Sequence, residues 1–369
     1  MRIAFYAPLK PPAHPVPSGD RRVAQLFVEA LRRAGHEPVV ASGFRSYDGA
    51  GEPARQERLA AVGCRCAERL LHRYRARPET APDLWFTYHL YHKAPDWLGP
   101  TVAAGLGIPY VVAEASFAPK RADGPWAEGH RAVAQALRQA DAVIGLNPVD
   151  RACVLPLLRD PARWVALKPF LDAAAYSPRP MRPHEPPPRL IAVAMMRHGD
   201  KLASYRLLGQ ALRRVLDLPW TLEVVGDGPA RDEVREALAP LDGRVSWRSA
   251  LLEHALRDRL AAADLCVWPA VNEAFGMALL EAQASGLPVV AGAAGGVADI
   301  VADGITGLLA PVGDAEAFAA ALRRLLLDPE TRAAFAAAAR HQVCAEHDIA
   351  NAAARLGAVL AALTRRQAA

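Results

Sequence analysis

Short apolar runs alternate with longer segments of helical periodicity along the first half of the chain. The runs have the length and the bounding turn residues of buried parallel strands. Amphipathic segments at 21–34 and 129–140 predict helices between them. The predicted strands are 2–7, 38–41, 84–88, 110–113 and 142–145. This order predicts a doubly wound parallel sheet, a Rossmann-like domain.

The same alternation restarts near residue 190. Strands are predicted there at 190–194, 221–225, 244–247 and 265–268, with helices in the intervals. Five prolines between residues 180 and 188 prevent regular structure just before the restart. We therefore expect two α/β domains, 1–178 and 190–345, a linker at 179–189, and a helical tail over 346–369.

Composition narrows the class of protein. The chain of 369 residues is 52% apolar, enough for two cores, and its net charge of +5 is spread too evenly for a nucleic-acid-binding tail. Sugar nucleotides or an anionic membrane surface suit this modest basicity. Five scattered cysteines indicate a reducing compartment, and Cys64 and Cys66 lack a second pair at zinc-type spacing. Without a signal peptide or a membrane-spanning apolar run, a cytoplasmic protein is expected.

The most specific pattern lies at 268–288. Glu273 precedes Gly276 in a loop after an apolar strand, and Glu281 lies on the second turn of the helix that follows. Gly286 and Pro288 end that helix. Free N–H groups at the helix start favour an anion, and a carboxylate one turn on can accept hydrogen bonds from a diol. The segment therefore predicts a ligand with phosphates and a ribose.

This segment resembles the donor-binding signature of retaining GT-B glycosyltransferases, specifically family 4. The shared elements run from Trp268 to Pro311 and read E-x-F-G-x4-E, G-x-P-V-V, Gly295-Gly296 and D-G-x-x-G-L-L. The resemblance implies two Rossmann-like domains facing across a cleft, with a C-terminal helix that packs back on the first domain. It implies transfer of a sugar from a nucleoside diphosphate to a hydroxyl acceptor with α geometry, without a metal or cofactor.

The resemblance also implies the donor contacts. Glu281 would hold the ribose, Glu273 would face the sugar, and cations would stabilise the charge on the departing diphosphate. The donor-binding set is Gly19, Arg197, Lys201, Gly226, Arg248, Glu273, Phe275, Gly276 and Glu281. The sequence M-R-H-G-D-K around Arg197 and Lys201 departs from the usual pattern, so a solvated loop with two cations stays open.

A second departure concerns catalysis. Many family members carry a His near the end of a first-domain strand, where this chain has Glu114 in Y-V-V-A-E-A-S-F. Glu114 is the nearest candidate for that polar role, beside Glu273, Arg197 and Lys201 as the catalytic set. His89 and His92 follow another strand and are candidate acceptor contacts, although histidines satisfied within the fold are an open alternative.

Other interpretations stay open. A sugar-nucleotide epimerase of similar fold would use the same nucleotide contacts, and a non-catalytic module would bind a sugar nucleotide or a partner. The arginine-rich segment 55–77 has apolar residues at helical spacing. It is either an ordinary solvated helix or a contact with the inner face of an anionic membrane, where lipid-linked acceptors of the family reside.

Overall fold

A computed structural model describes residues 1–16, 18–177, 187–241 and 243–368. The chain divides into two compact units. Unit 1 comprises Met1–Lys168 and Ile349–Ala369, and unit 2 comprises Pro169–Asp348. Each unit is a parallel sheet with helices, so the expected two-domain α/β fold is confirmed.

Unit 1 is built on a six-stranded parallel sheet of order β2-β1-β3-β4-β5-β6. Its strands are β1 (Arg2–Tyr6), β2 (Glu37–Val40), β3 (Leu84–Leu90), β4 (Tyr110–Ala115), β5 (Ala142–Gly145) and β6 (Trp164–Ala166). Its helices are α1 (Gly19–Arg33), α2 (Pro53–Ala76), α3 (Gly99–Leu106), α4 (Ala127–Gln139), α5 (Pro148–Val154) and α12 (Ile349–Ala368). Sequence pattern did not predict β6, a three-residue edge strand.

The strands of unit 1 are apolar because helices cover both faces of a parallel sheet. β4 and β5 are buried along their whole length. On one face Phe27 of α1 lies 5.6 Å from the ring of Phe86 and 5.4 Å from that of Tyr88, measured between centroids. Burying such side chains stabilises the fold by roughly 1.5–3 kcal/mol each. The packing fixes the carboxyl ends of β3 and β4, where polar residues follow.

Unit 2 has a second six-stranded parallel sheet, of order β12-β11-β10-β7-β8-β9. Its strands are β7 (Arg189–Val193), β8 (Thr221–Val225), β9 (Val245–Arg248), β10 (Leu265–Trp268), β11 (Val289–Gly292) and β12 (Gly307–Ala310). Its helices are α6 (Asp200–Arg213), α7 (Arg231–Leu238), α8 (Glu253–Ala262), α9 (Met277–Ala284), α10 (Ala315–Leu327) and α11 (Pro329–Glu346). The predicted strand 265–268 matches β10 residue for residue.

The boundary between the units differs from the predicted one. It falls after Lys168, whereas the linker was predicted at 179–189, of which 178–186 lie outside the described residues. Residues 169–173 belong to unit 2 because His347 and Asp348, which directly follow α11, hold them by hydrogen bonds. Leu171 N–H donates to the carbonyl of His347 (3.0 Å), and Ala173 N–H donates to Asp348 Oδ2 (3.1 Å).

The predicted tail helix also begins later than expected. Residues up to Glu346 belong to α11, and α12 starts only at Ile349, after a break at His347 and Asp348. α12 packs against α1, within unit 1. The chain therefore returns to its first unit at the end, as the sequence resemblance implied.

Helix α2 places its apolar stripe inside unit 1. Leu70 and Tyr74 are buried in the core, while Arg58, Arg65 and Arg69 are exposed. No helix among the described residues is both long enough and apolar enough to span a bilayer. The apolar stripe is thus used by the fold, and the surface that α2 presents is basic.

Candidate functional site

The carboxyl end of β10 in unit 2 leads through a loop into α9. Gly276 begins this helix with a left-handed backbone (φ 77°), and no side chain caps the helix start. A Cβ at Gly276 would be strained in that conformation. Ala270, in the same loop, is left-handed as well (φ 48°). Strained backbone next to an uncapped helix start is typical of a ligand site.

Lys201 and Glu273 meet beside this loop. The Nζ atom of Lys201, on the first turn of α6, forms an ion pair with Glu273 Oε2. The indole N–H of Trp268 donates to the same oxygen (3.3 Å), and Lys201 Nζ lies 5.4 Å from the Trp268 ring centroid. Both charged side chains keep some exposure, 28% for Lys201 and 19% for Glu273. The two charges are therefore placed together and still reach solvent.

Glycines allow close backbone contacts around the pair. A Cβ at Gly226 would lie 1.9 Å from the carbonyl oxygen of Ala194, and one at Gly228 would lie 2.2 Å from that of Met196. The loop after β8 can pack on the segment before Arg197 only because both residues lack side chains. Gly226 therefore allows the loop after β8 to hold the segment that leads to Arg197.

The pair Gly295 and Gly296 has the same kind of role. An added Cβ at Gly295 would lie 2.0 Å from the carbonyl oxygen of Glu273, and one at Gly296 would lie 2.5 Å from that of Ala274. Gly296 N–H also donates to the Ala274 carbonyl (3.1 Å). Gly295 and Gly296 therefore pack against the backbone of Glu273 and Ala274 and hold this loop in position.

The other predicted donor-binding residues have varied environments. Arg197 is exposed, and its guanidinium has no hydrogen bond or ion pair within the described part of the chain. Arg248, at the end of edge strand β9, pairs with Glu223 (3.0 Å). Phe275 and Glu281 are half-buried, and the charge of Glu281 adds to burial in raising the pKa of Cys266 to about 12. The structure thus brings Lys201 and Glu273 together but not Arg248.

In unit 1 the candidate residues lie at the ends of adjacent strands. Tyr88 pairs with Ala113 and Leu90 with Ala115, so His89 and Glu114 lie side by side. Both have left-handed backbones, with φ 61° for His89 and 58° for Glu114. Such conformations cost of order 1–3 kcal/mol each for a residue with a side chain and cluster at functional sites. This adjacency supports grouping them in one site.

Asp20 and Asp150 complete a group that sequence reasoning missed. His89 Nδ1 lies 3.1 Å from Asp20 Oδ1 and 3.9 Å from Glu114 Oε1. Burial alone would lower the pKa of His89, but the charge of Glu114 and the contact with Asp20 raise it to about 9. Burial raises the pKa values of Glu114 and Asp150. Asp20 and Asp150 each lie in the first turn of a helix that follows a strand, and this position was the available signal.

Gly19 and His92 have other environments. Gly19 is the exposed first residue of α1, capped by Ser18, and a Cβ there would meet no atom within 4 Å. Burial, followed by the charges of Arg121 and Lys93, lowers the pKa of His92 to about 4, so this ring is neutral.

No group of three or more His, Cys, Asp or Glu residues in the described ranges is arranged to hold a metal ion.

Known proteins are similar to this chain in sequence, and the family match lies within unit 2. Residues 187–328 match the family model described as "Glycosyl transferases group 1". A D-inositol 3-phosphate glycosyltransferase of Kineococcus radiotolerans is 33% identical over 232 residues, 56% of this chain and 53% of the relative. A sulfoquinovosyl transferase of Arabidopsis thaliana is 36% identical over 138 residues, 36% of this chain and 27% of the relative. The chain thus spans about half or less of the length of these curated relatives.

Solved structures match over nearly the whole chain. Sucrose-phosphate synthase from Thermosynechococcus elongatus has a TM-score of 0.74 at 21% identity, covering 99% of both chains. The Anabaena protein HepE, solved in complex with UDP-glucose, has a TM-score of 0.72 at 17% identity, covering 98% of this chain and 100% of its own. At these identities the matches establish the fold, which is GT-B.

Proposed function

We propose that this chain, which matches the group 1 glycosyl transferase model over residues 187–328, moves a sugar from a nucleoside diphosphate to a hydroxyl acceptor. We further propose retention of configuration, hence an α linkage. The observation that supports this most is the Lys201–Glu273 pair beside Trp268, next to the uncapped start of α9. It offers a cation, free N–H groups and a carboxylate within one part of unit 2.

These groups suit the chemistry of the donor. As the bond to the anomeric carbon breaks, negative charge builds on the diphosphate, and fixed positive groups stabilise it. Lys201, exposed Arg197 and the N-terminus of α9 would supply them, each charge-assisted hydrogen bond contributing about 1.5–3 kcal/mol. Glu273 would accept hydrogen bonds from the sugar and Glu281 from the ribose. With cations already supplied, the proposal assigns no metal or cofactor to the step.

The acceptor side of the proposal belongs to unit 1. His89 and Glu114 end adjacent strands there, and ligands of open α/β sheets bind at the carboxyl ends of strands. We propose a lipid-linked acceptor, because α2 of the same unit presents exposed arginines that suit an anionic bilayer. The five free cysteines suit the reducing cytoplasm, where sugar nucleotides would be the small-molecule partner.

Thermal shift and donor hydrolysis test the proposal. UDP and UDP-glucose are the first probes, because both occur in complexes of HepE, which shares the fold. A nucleotide at 100 times its dissociation constant should stabilise the protein by about 2.7 kcal/mol. We expect slow release of UDP from UDP-glucose, lost in Glu273→Ala. Conversion to another sugar nucleotide would favour an epimerase, and equal background rates in both proteins would favour a binding module.

A further inference from the structure

Unit 1 contains a group of titratable side chains that the donor contacts do not use. Asp20, His89, Glu114 and Asp150 each affect the pKa of another member of the group. The Glu114 side chain is only 9% exposed. Its Oε2 atom is buried and has no hydrogen-bond partner among the described residues. A buried carboxylate oxygen normally has a donor, so this one is suited to receive a donor from a ligand.

We propose that Glu114 accepts the hydroxyl proton of the acceptor on Oε2, and that His89 is the positioning residue that keeps this carboxylate ionised and oriented. The inference rests on the proposed function and deepens it. The acceptor oxygen forms a bond to the anomeric carbon on the same face from which the diphosphate oxygen departs, so the bond to the diphosphate breaks and the configuration is retained. The electron pair of the broken bond leaves with the diphosphate, and the proton passes from the acceptor to Glu114 and then to water.

The neighbouring carboxylates suit this role less well. Asp20 is already paired with His89, and this contact, together with Lys10, outweighs burial and lowers its pKa, which makes it a weak base. Asp150 is only partly buried, and Ser116 lowers its pKa against the effect of burial. Burial raises the pKa of Glu114, which makes its carboxylate a stronger base than an exposed one. Among the three, Glu114 combines basicity with a free oxygen.

His89 has a geometric reason to act through Glu114. Its Nδ1 lies between Asp20 and Glu114, at 3.1 Å and 3.9 Å. The charged groups that act on Glu114 are His89, Asp20 and Asp150, and Tyr88 also lowers its pKa. His89 is the one cation among them, so without it buried Glu114 would face only the carboxylates of Asp20 and Asp150 and would take up a proton.

UDP release from UDP-glucose without added acceptor tests the inference, because water then takes the place of the acceptor hydroxyl. We expect Glu114→Gln to lower the rate at least 100-fold while the UDP-induced thermal shift stays unchanged. Glu114→Asp should keep part of the rate. In His89→Asn the acid limb of the pH–rate profile should move to higher pH, which a purely structural defect would not cause. Asn also tolerates the left-handed backbone. The control is Glu68→Gln, which makes the same substitution at an exposed carboxylate of α2 in the same unit.

Three results would count against these statements separately. If Glu114→Gln releases UDP at the wild-type rate across the pH range and keeps its UDP-induced shift, the inference is wrong and the proposed function stands. If neither UDP and UDP-glucose nor any other nucleoside diphosphate sugar shifts the wild-type melting temperature, and no nucleoside diphosphate is released, the proposed function fails. An unmoved acid limb in an active His89→Asn variant would overturn the role given to His89.

Discussion

The imidazole of His89 and the carboxylate of Asp20 lie 3.1 Å apart at the carboxyl edge of the unit 1 sheet, although 69 residues separate them. Burial of the ring opposes its protonation, but Glu114 and Asp20 outweigh this effect and raise the pKa to about 9. His89 is therefore an imidazolium at neutral pH. The ion pair makes unit 1 stability depend on pH in a defined direction.

Alkaline pH should weaken unit 1. An unfolded histidine has a pKa near 6.5, so the stabilisation from His89 is fully present below about pH 6.5 and is lost as the pH rises through about 9. We expect a loss of about 1–3 kcal/mol over this range, measured by urea unfolding at pH 6, 7.5 and 9. Asp20→Asn should flatten the dependence. Equal slopes in both proteins would show that the contact does not set the charge of His89.

Lys201 and Glu273 should have opposite effects on nucleotide binding. Lys201→Met removes a cation expected to contact the diphosphate and should weaken UDP binding about 10- to 100-fold. Glu273→Gln removes the carboxylate that competes for Lys201, so UDP should bind at least as tightly as in wild type, while UDP-glucose turnover is lost. Titration calorimetry with UDP and a UDP-release assay separate the two effects.

The control for this comparison is Glu253→Gln. Glu253 pairs with Arg257 on α8 of the same unit, and 37% of its side chain is exposed, against 19% for Glu273. This variant should leave UDP affinity within about twofold, as expected for an exposed pair worth under about 1 kcal/mol. Weaker UDP binding in Glu273→Gln than in wild type would contradict competition for Lys201.

Periodicity and local motifs were enough to predict β10, the Gly276 helix start and the two-unit α/β fold. The pairing of Lys201 with Glu273 spans 72 residues and depends on two neighbouring strands of one sheet, which no local pattern specifies. The left-handed backbones of His89 and Glu114 could not be predicted either, because no sequence pattern indicates this conformation for residues other than glycine. Motif residues were thus predictable, and the charged groups that surround them were not.

The glycine pair behind the Glu273 loop should be intolerant of side chains. Gly295→Ala would add strain at φ 52° and place a Cβ 2.0 Å from the Glu273 carbonyl. Gly304→Ala is the matched control, since Gly304 has φ 71° and no atom within 4 Å of an added Cβ. We expect Gly304→Ala to cost about 1 kcal/mol and Gly295→Ala at least about 3 kcal/mol, with reduced UDP-glucose turnover. Equal unfolding free energies for the two variants would contradict the packing role.

The basic face of α2 should bind anionic vesicles in a salt-dependent way. Arg58 and Arg65 are exposed one heptad apart, and the apolar stripe of the helix is used by the core, so attraction should be electrostatic. Each basic residue near an anionic surface contributes about 1 kcal/mol to binding. The double variant Arg58→Glu with Arg65→Glu should therefore lower the binding constant for phosphatidylserine vesicles, measured by sedimentation, about 10- to 100-fold. The matched double reversal on α4, Arg131→Glu with Arg138→Glu, has the same spacing and exposure and should bind like wild type. Equal loss of vesicle binding in both double variants would show that net charge, rather than the face of α2, determines binding. Because the attraction is electrostatic, 0.5 M salt should abolish vesicle binding by the wild-type protein.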